Sequence, residues 1–301
     1  METKKIAASE LKGWLDAKKD FLLVDVMNPE YFAEKHIAGS VNAPVYEVAF
    51  LTYLEKLDVP KDKTIVVYNE KESSLAVADA GNKLVRAGFA DVYEFPGGLE
   101  KWEQAGFPLE NGESVAALAV VDGEYILDKE NSIVGWSGRN AKYAHKGKIA
   151  VKSGNVVVKN AKVVSGKIVL DMTTIKDEDL TDDMWRGVLE SHLKSSDFFD
   201  VEQYPEAFFE FDQADLIKDA LGGVPNYKLN GKLTIKDVTK PFGISAMIVP
   251  MGDGVLNGQT HFDFDRTLWN VRYGSEKFFE KLGMHLVNDI VSLEIFLVAK
   301  K

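Results

Sequence analysis

The pattern of apolar and polar positions changes near residue 110. Upstream, compact apolar runs at residues 21–26, 64–68 and 91–95 predict short strands. Between them lie stretches of helical period. The clearest covers residues 74–87, where Leu75, Ala78, Leu84 and Val85 can share a face and Gly88 stands where a helix stop belongs. Gly97 and Gly98 mark a turn before a short helix through Trp102. Strands alternating with helices imply a parallel sheet covered on both faces, so residues 1–110 read as an α/β domain.

After the Pro108 to Gly112 stretch the period becomes two. Alternating segments at residues 148–158, 166–172, 207–211, 229–235, 259–266 and 290–297 are separated by Gly, Asn and Asp turns. Many such strands at short spacing predict an antiparallel barrel or sandwich over residues 123–301, with residues 111–122 as linker. Helical stretches at 183–194 and 276–282 interrupt it. The alternation assigns one face of each strand to the interior: Ala207, Phe209 and Phe211; Leu229, Gly231, Leu233 and Ile235; Thr260, Phe262, Phe264 and Arg266; Val291, Leu293, Ile295 and Leu297. Val134 and Trp136 extend the set. Arg266 is the exception among these apolar positions. A guanidinium on an inward face needs a carboxylate, carbonyls or a ligand head group, so it is either paired structurally with an acidic neighbour or in contact with a ligand. On the residues alone, the aromatics could fill a solid core.

Composition narrows the chemistry. The 301 residues include no cysteine, which removes disulfides, thiolate nucleophiles and cysteine metal sites. The net charge is −11, split into −6 for residues 1–110 (13 Lys+Arg, 19 Asp+Glu) and −5 for the remainder (23 and 28). That balance argues against nucleic-acid binding and against docking on an anionic membrane. No apolar run approaches the ~18 residues of a membrane helix; residues 115–121 are among the longest. The first 20 residues lack a signal-peptide core, and the expected location is cytoplasmic. The five histidines show no metal-ligand spacing. No metal, cofactor, phosphate loop or hydrolase elbow is expected.

Residues Leu23-Val24-Asp25-Val26, Glu30-Tyr31 and His36-Ile37-Ala38-Gly39-Ser40-Val41-Asn42-Ala43-Pro44 occur in one order with Ile65-Val66-Val67-Tyr68, Ala87-Gly88-Phe89, Gly97-Gly98-Leu99-Glu100-Lys101-Trp102 and Ala105-Gly106-Phe107-Pro108. This resembles the rhodanese family across residues 5–110, and the resemblance implies that family's small α/β fold. It also implies a catalytic cysteine after the strand ending at Tyr68. Here that residue is Asn69, and the position where some relatives carry a second cysteine is Ser74. Met27 replaces a common arginine. The loop Asn69, Glu70, Lys71, Glu72, Ser73, Ser74 contains no sulfur, and its acidic residues disfavour an anion. Sulfur transfer is not expected. Asn69 either caps the following helix together with Ser73 or Ser74, or belongs to a pseudoenzyme pocket that still binds a ligand or partner. His36 is read as scaffold.

A second resemblance covers about residues 122–299. Glu124-Tyr125-Ile126-Leu127-Asp128, Val134-Gly135-Trp136, His145-Lys146-Gly147, the run from Ser191-His192-Leu193-Lys194 through Asp197-Phe198-Phe199 to Tyr204-Pro205, and Gly231 through Pro241 are similar to the YceI-like family, as are Asp265-Arg266-Thr267 and Val271-Arg272-Tyr273-Gly274-Ser275. Asp237 departs from a common glycine, and the family's usual periplasmic signal is missing. The resemblance implies a lipocalin-like barrel holding a polyisoprenoid, quinone or fatty-acyl chain. The residues expected to line it are Val134, Trp136, Phe209, Phe211, Leu233, Phe262, Phe264, Arg266, Leu293 and Ile295; His192 is assigned to scaffold. The expected protein is a non-enzymatic lipid binder or carrier whose degenerate rhodanese domain serves as scaffold, regulator or partner module. The alternatives are a sulfurtransferase-related enzyme and a pure interaction module.

Overall fold

A computed structural model describes residues 2–113 and 118–301. The chain divides into two compact units, Met1–Ala117 and Leu118–Lys301. Part of the linker expected at 111–122, and the start of the apolar run at 115–121, lie outside the described residues.

In the first unit, strands β1 (Lys4–Lys5), β2 (Leu22–Asp25), β4 (Val41–Asn42), β5 (Thr64–Tyr68) and β6 (Asp91–Phe95) form a parallel sheet in the order β1-β6-β5-β2-β4. A small pair, β3 (Lys35–His36) and β7 (Glu110–Asn111), lies apart from it. Helices α1 (Ala8–Asp16), α2 (Pro29–Glu34), α3 (Phe50–Lys56), α4 (Ala76–Arg86) and α5 (Gly98–Gln104) alternate with the strands. Ile65, Val66, Val67 and Tyr68 of β5 are all buried. A central parallel strand is covered on both faces, which is why its sequence is continuously apolar instead of alternating.

The face expected on α4 is corrected. Leu75 precedes the helix and is 77% exposed, while Ala76, Val77, Ala80, Gly81 and Leu84 are buried. Small side chains at these positions let the helix approach the sheet closely, and a mean apolar period cannot register that.

The second unit is a closed antiparallel barrel of β8 (Gly123–Leu127), β9 (Ile133–Arg139), β10 (Ala144–Lys159), β11 (Lys162–Asp177), β12 (Glu206–Leu216), β13 (Tyr227–Ile235), β14 (Val238–Gly252), β15 (Val255–Asp265) and β16 (Ile290–Lys300). β8 and β9 each pair with both β10 and β16, so together they make one interrupted stave and the barrel has eight. Closure removes the edges that an open sheet would leave unpaired. Helix α6 (Asp183–Lys194) begins at Asp182, whose carboxylate accepts the Trp185 amide at 3.0 Å.

One strand lies outside the alternating segments named above, and one expected helix does not form. The strand β14 carries Pro241 and Pro250, which argue against a strand interior. It forms because residues 238–246 ladder only with β13, and residues 247–252 only with β15. Each proline therefore sits where one side of the strand asks for no donor. The helix expected at 276–282 is absent. The amides of Phe278 and Phe279 both turn back to the Ser275 carbonyl, Lys277 binds Asp265 (2.6 Å) and Asp289 (3.0 Å), and Lys281 has φ +55°. A short 3-10 turn follows at Gly283–His285, and another at Arg266–Trp269 continues from β15.

Candidate functional site

The barrel interior is hollow. A cavity of about 340 Å³ is lined by inward side chains of the strands and by Leu189 and Leu193 of α6, one helical turn apart. All ten residues named for this lining face it: Val134, Trp136, Phe209, Phe211, Leu233, Phe262, Phe264, Arg266, Leu293 and Ile295. Its aromatic wall is a connected series. Phe209 lies 5.8 Å from Phe211 and 6.5 Å from Phe242, and Phe242 lies 5.3 Å from Phe262; Trp269, not itself on the lining, packs 5.8 Å from Phe242 (ring centroids). Phe242 escaped the sequence reading because its strand did. Trp269 follows Arg266 in the 3-10 turn, where period-two reasoning stops, and its indole donates to the Leu233 carbonyl at 3.0 Å.

Arg266 is 2% exposed, and its guanidinium is spent on the fold. Nε donates to the Asn288 carbonyl (2.9 Å), Nη1 to Val271 (2.6 Å) and Nη2 to Val287 (3.0 Å), with the Asp289 carboxylate at 3.8 Å. The partner is a ring of carbonyls more than an acidic neighbour. Burial holds its pKa below the ordinary arginine value.

Other polar groups collect on the lining: Arg139, Asn140, His145, His192, Tyr273 and Asn288. His192 packs edge-on against Phe198 and Tyr273 and reaches Asp197 at 3.1 Å, joining α6 to the segment that follows it and to the one that follows β15. The Trp136 indole N–H is buried without a partner. Folding also brings the lining residue His145 together with Asp177 and Asp179, their ligand atoms within 4.8 Å of one another. The sequence reading named no metal ligands, and a separation of more than thirty residues carries no local spacing to detect. Burial pushes Asp177 above the usual carboxylate range.

In the first unit, Asn69 follows β5 and is 2% exposed, while Glu70, Lys71, Glu72 and Ser73 are exposed. Its carbonyl accepts the Leu99 amide (2.9 Å), and its side-chain oxygen is buried without a partner. It therefore does not cap α4; the Ser74 hydroxyl accepts the Ala76 amide instead, at 3.2 Å. Gly98 (φ +55°) has no substitute here, because a Cβ would stand 2.2 Å from the Asn69 carbonyl. Beneath the loop, burial raises the Asp25 carboxyl to about 6, against the pull of the Met27 amide at 2.8 Å. The Tyr68 hydroxyl accepts the Ile37 amide and shares a hydrogen bond with Ser40. His36 spans the Phe32 carbonyl and Glu110. A sulfur atom is missing from the position that would carry the chemistry.

Comparison with known proteins places each unit. Thiosulfate sulfurtransferase GlpE of Pseudomonas syringae pv. syringae is 36% identical over 81 residues, covering 27% of this chain and 71% of that protein. Burkholderia cenocepacia BcnA covers 58% of this chain and 99% of its own at 23% identity and a TM-score of 0.44. A polyisoprenoid binding domain from Saccharophagus degradans, implicated in plant cell wall breakdown, covers 58% and 97% at 12% identity and a TM-score of 0.43. The rhodanese-like domain family matches residues 7–105, and the YceI-like domain family matches residues 125–299. With more than half of its length in the latter match, the chain belongs to the YceI-like family, and it carries a rhodanese-like domain ahead of the barrel.

Proposed function

We propose that the barrel binds one long-chain apolar molecule, a polyisoprenoid, quinone or fatty-acyl lipid, and that the rhodanese-like unit is a non-catalytic scaffold that receives a protein partner. The observation that carries the reading is the hollow interior with its almost wholly apolar wall. Its volume lies in the range of small-molecule pockets. Burying ten methylenes there is worth roughly 8 kcal/mol before the costs of association. Membership of the YceI-like family supports the same ligand class. For the first unit, support comes from Asn69 at the position of the nucleophile and from a chain without cysteine.

Native mass spectrometry of gently purified protein tests the barrel. The wild type is expected to retain an apolar chain. Gly258 lines the cavity, and a Cβ there meets nothing within 4 Å, so Gly258→Trp fills the space without a backbone clash. That variant is expected to keep its β-sheet circular dichroism and lose the ligand. Equal occupancy in the folded variant overturns the reading. A thiosulfate:cyanide assay is expected to stay at background; turnover would overturn the non-catalytic assignment.

A further inference from the structure

We propose that His145, Asp177 and Asp179 form a binding site for a divalent transition-metal ion of the zinc class at the rim of the barrel. The three come from separate places: His145 from the start of β10, Asp177 from the end of β11, and Asp179 from the turn leading into α6. Their ligand atoms lie within 4.8 Å of one another. His145 Nδ1 is 3.2 Å from Asp179 Oδ2 and 3.9 Å from Asp177 Oδ2.

Proximity alone would not make a site. The second observation is Asp177 itself. Its side chain is wholly buried, and Oδ2 has no hydrogen-bond partner. Its other oxygen accepts the amides of Asp179 (3.2 Å) and Leu180 (2.7 Å), which fix the carboxylate and direct Oδ2 toward His145. Asp179 is oriented in the same manner, with Oδ1 on the Lys146 amide at 2.7 Å. Each carboxylate thus spends one oxygen on backbone donors and leaves the other for the cluster, the arrangement in which outer contacts orient metal ligands. Two neighbouring carboxylates out of water repel each other unless a proton or a cation lies between them. A divalent ion balances both.

The donor set selects the ion. An imidazole nitrogen with two carboxylate oxygens suits zinc and its neighbours, whereas calcium and magnesium favour oxygen-only shells. Three protein ligands leave a coordination position for water. An ion here would tie β10 to the connection between β11 and α6. This inference concerns a different ligand from the lipid reading; His145 is common to both sites, while Asp177 and Asp179 are not on the cavity lining.

The test is calorimetric titration of zinc chloride into chelator-treated full-length protein, paired with thermal melts. One equivalent is expected to bind the wild type and to raise its melting temperature. Asp177→Asn, close in shape, and His145→Gln are each expected to weaken that equivalent at least tenfold and to abolish the thermal shift. His36→Gln, which removes a histidine–carboxylate pair of the first unit, is expected to change neither. Should Asp177→Asn fail to fold, as judged by circular dichroism, His145→Gln decides the matter. Binding unchanged in His145→Gln, binding lost only in His36→Gln, or calcium bound as tightly as zinc would overturn the proposal.

Discussion

Replacing Arg266 by methionine keeps most of the side chain's apolar length and removes its donors. The carbonyls of Asn288, Val271 and Val287, now served at 2.9, 2.6 and 3.0 Å, would lose them together. Asp289 would not be stranded, because Lys277 still holds it at 3.0 Å, and the cost therefore falls on the carbonyls. Each buried carbonyl left without its donor costs about 1–3 kcal/mol, so about 3–5 kcal/mol is a conservative total for the three. Arg266→Lys, with a compact ammonium in place of a planar fork, is expected to recover only part of this. A single melting transition would mix two units and is not a two-state measurement. The assay is therefore hydrogen exchange by mass spectrometry on peptides spanning residues 266–275 and 285–292 of the full chain. Methionine is expected to accelerate exchange in both peptides by about the factor that 3–5 kcal/mol implies, roughly 10² or more. A variant with unchanged exchange and no bound lipid would refute the reasoning and make Arg266 a head-group ligand.

Three further outcomes are expected. The Asp25 carboxyl is fully buried and titrates near 6, above the unfolded value near 3.8, so the folded protein holds this proton more tightly. Asp25 therefore costs nothing below about pH 4 and progressively more up to about pH 6, reaching about 3 kcal/mol; hydrogen exchange of the β2 and β5 amides in Asp25→Asn, compared with wild type at each pH, should show a protection gain that opens across that window, and a gain independent of pH would contradict it. Asn69→Cys puts one thiol at a position 2% exposed, so Ellman's reagent is expected to label it only after denaturation, with no sulfurtransferase turnover. A Cβ at Gly166 would stand 2.7 Å from the Phe211 ring, so Gly166→Leu is expected to push that ring into the cavity and lower the lipid bound per folded protein, read by mass spectrometry against circular dichroism.

The inward faces were legible because period two survives noise: every residue read as inward on the strand of Phe209 and Phe211 is buried. What was lost was lost where that period is interrupted. β14 was not among the strands named from the alternation, and the tolerance of its Pro241 and Pro250 depends on which neighbour pairs where, a property of register and not of composition. Arg266 kept the parity of Phe262 and Phe264 but belongs to a 3-10 turn, so its carbonyl partners, 5 to 22 residues away in sequence, had no local signature. Asn69 stands where the rhodanese-like resemblance implies a nucleophile, and its side chain has no capping role, because the helix starts only at Ala76 and Ser74 is nearer to the free amide. The cluster of His145 with Asp177 and Asp179 exists only once β10 and β11 are laid antiparallel.

Whether the interior is solid or hollow is the one question that alternation cannot answer, since both have the same apolar face. The answer lies in which residues stand opposite the aromatics. Phe211 pairs across the ladder with Gly166 on one side and Gly231 on the other, and Trp136 pairs with Gly147. A Cβ at Gly147 would come within 2.8 Å of the Trp136 ring, just as one at Gly166 would strike Phe211. Both rings therefore lie over the bare backbone of a neighbouring strand, flat against the wall, instead of projecting to the axis. Stacking of Phe209 on Phe211 continues that lining along the strand. A barrel whose largest side chains are accommodated in its wall keeps a space in the middle, and small residues such as Ala207, Ala246, Ala299 and Gly258 on the lining do nothing to close it. The aromatic–glycine pairs that leave the barrel hollow are written in the sequence, but 45 residues apart for Phe211 and Gly166, and they become readable only when the strand register is known.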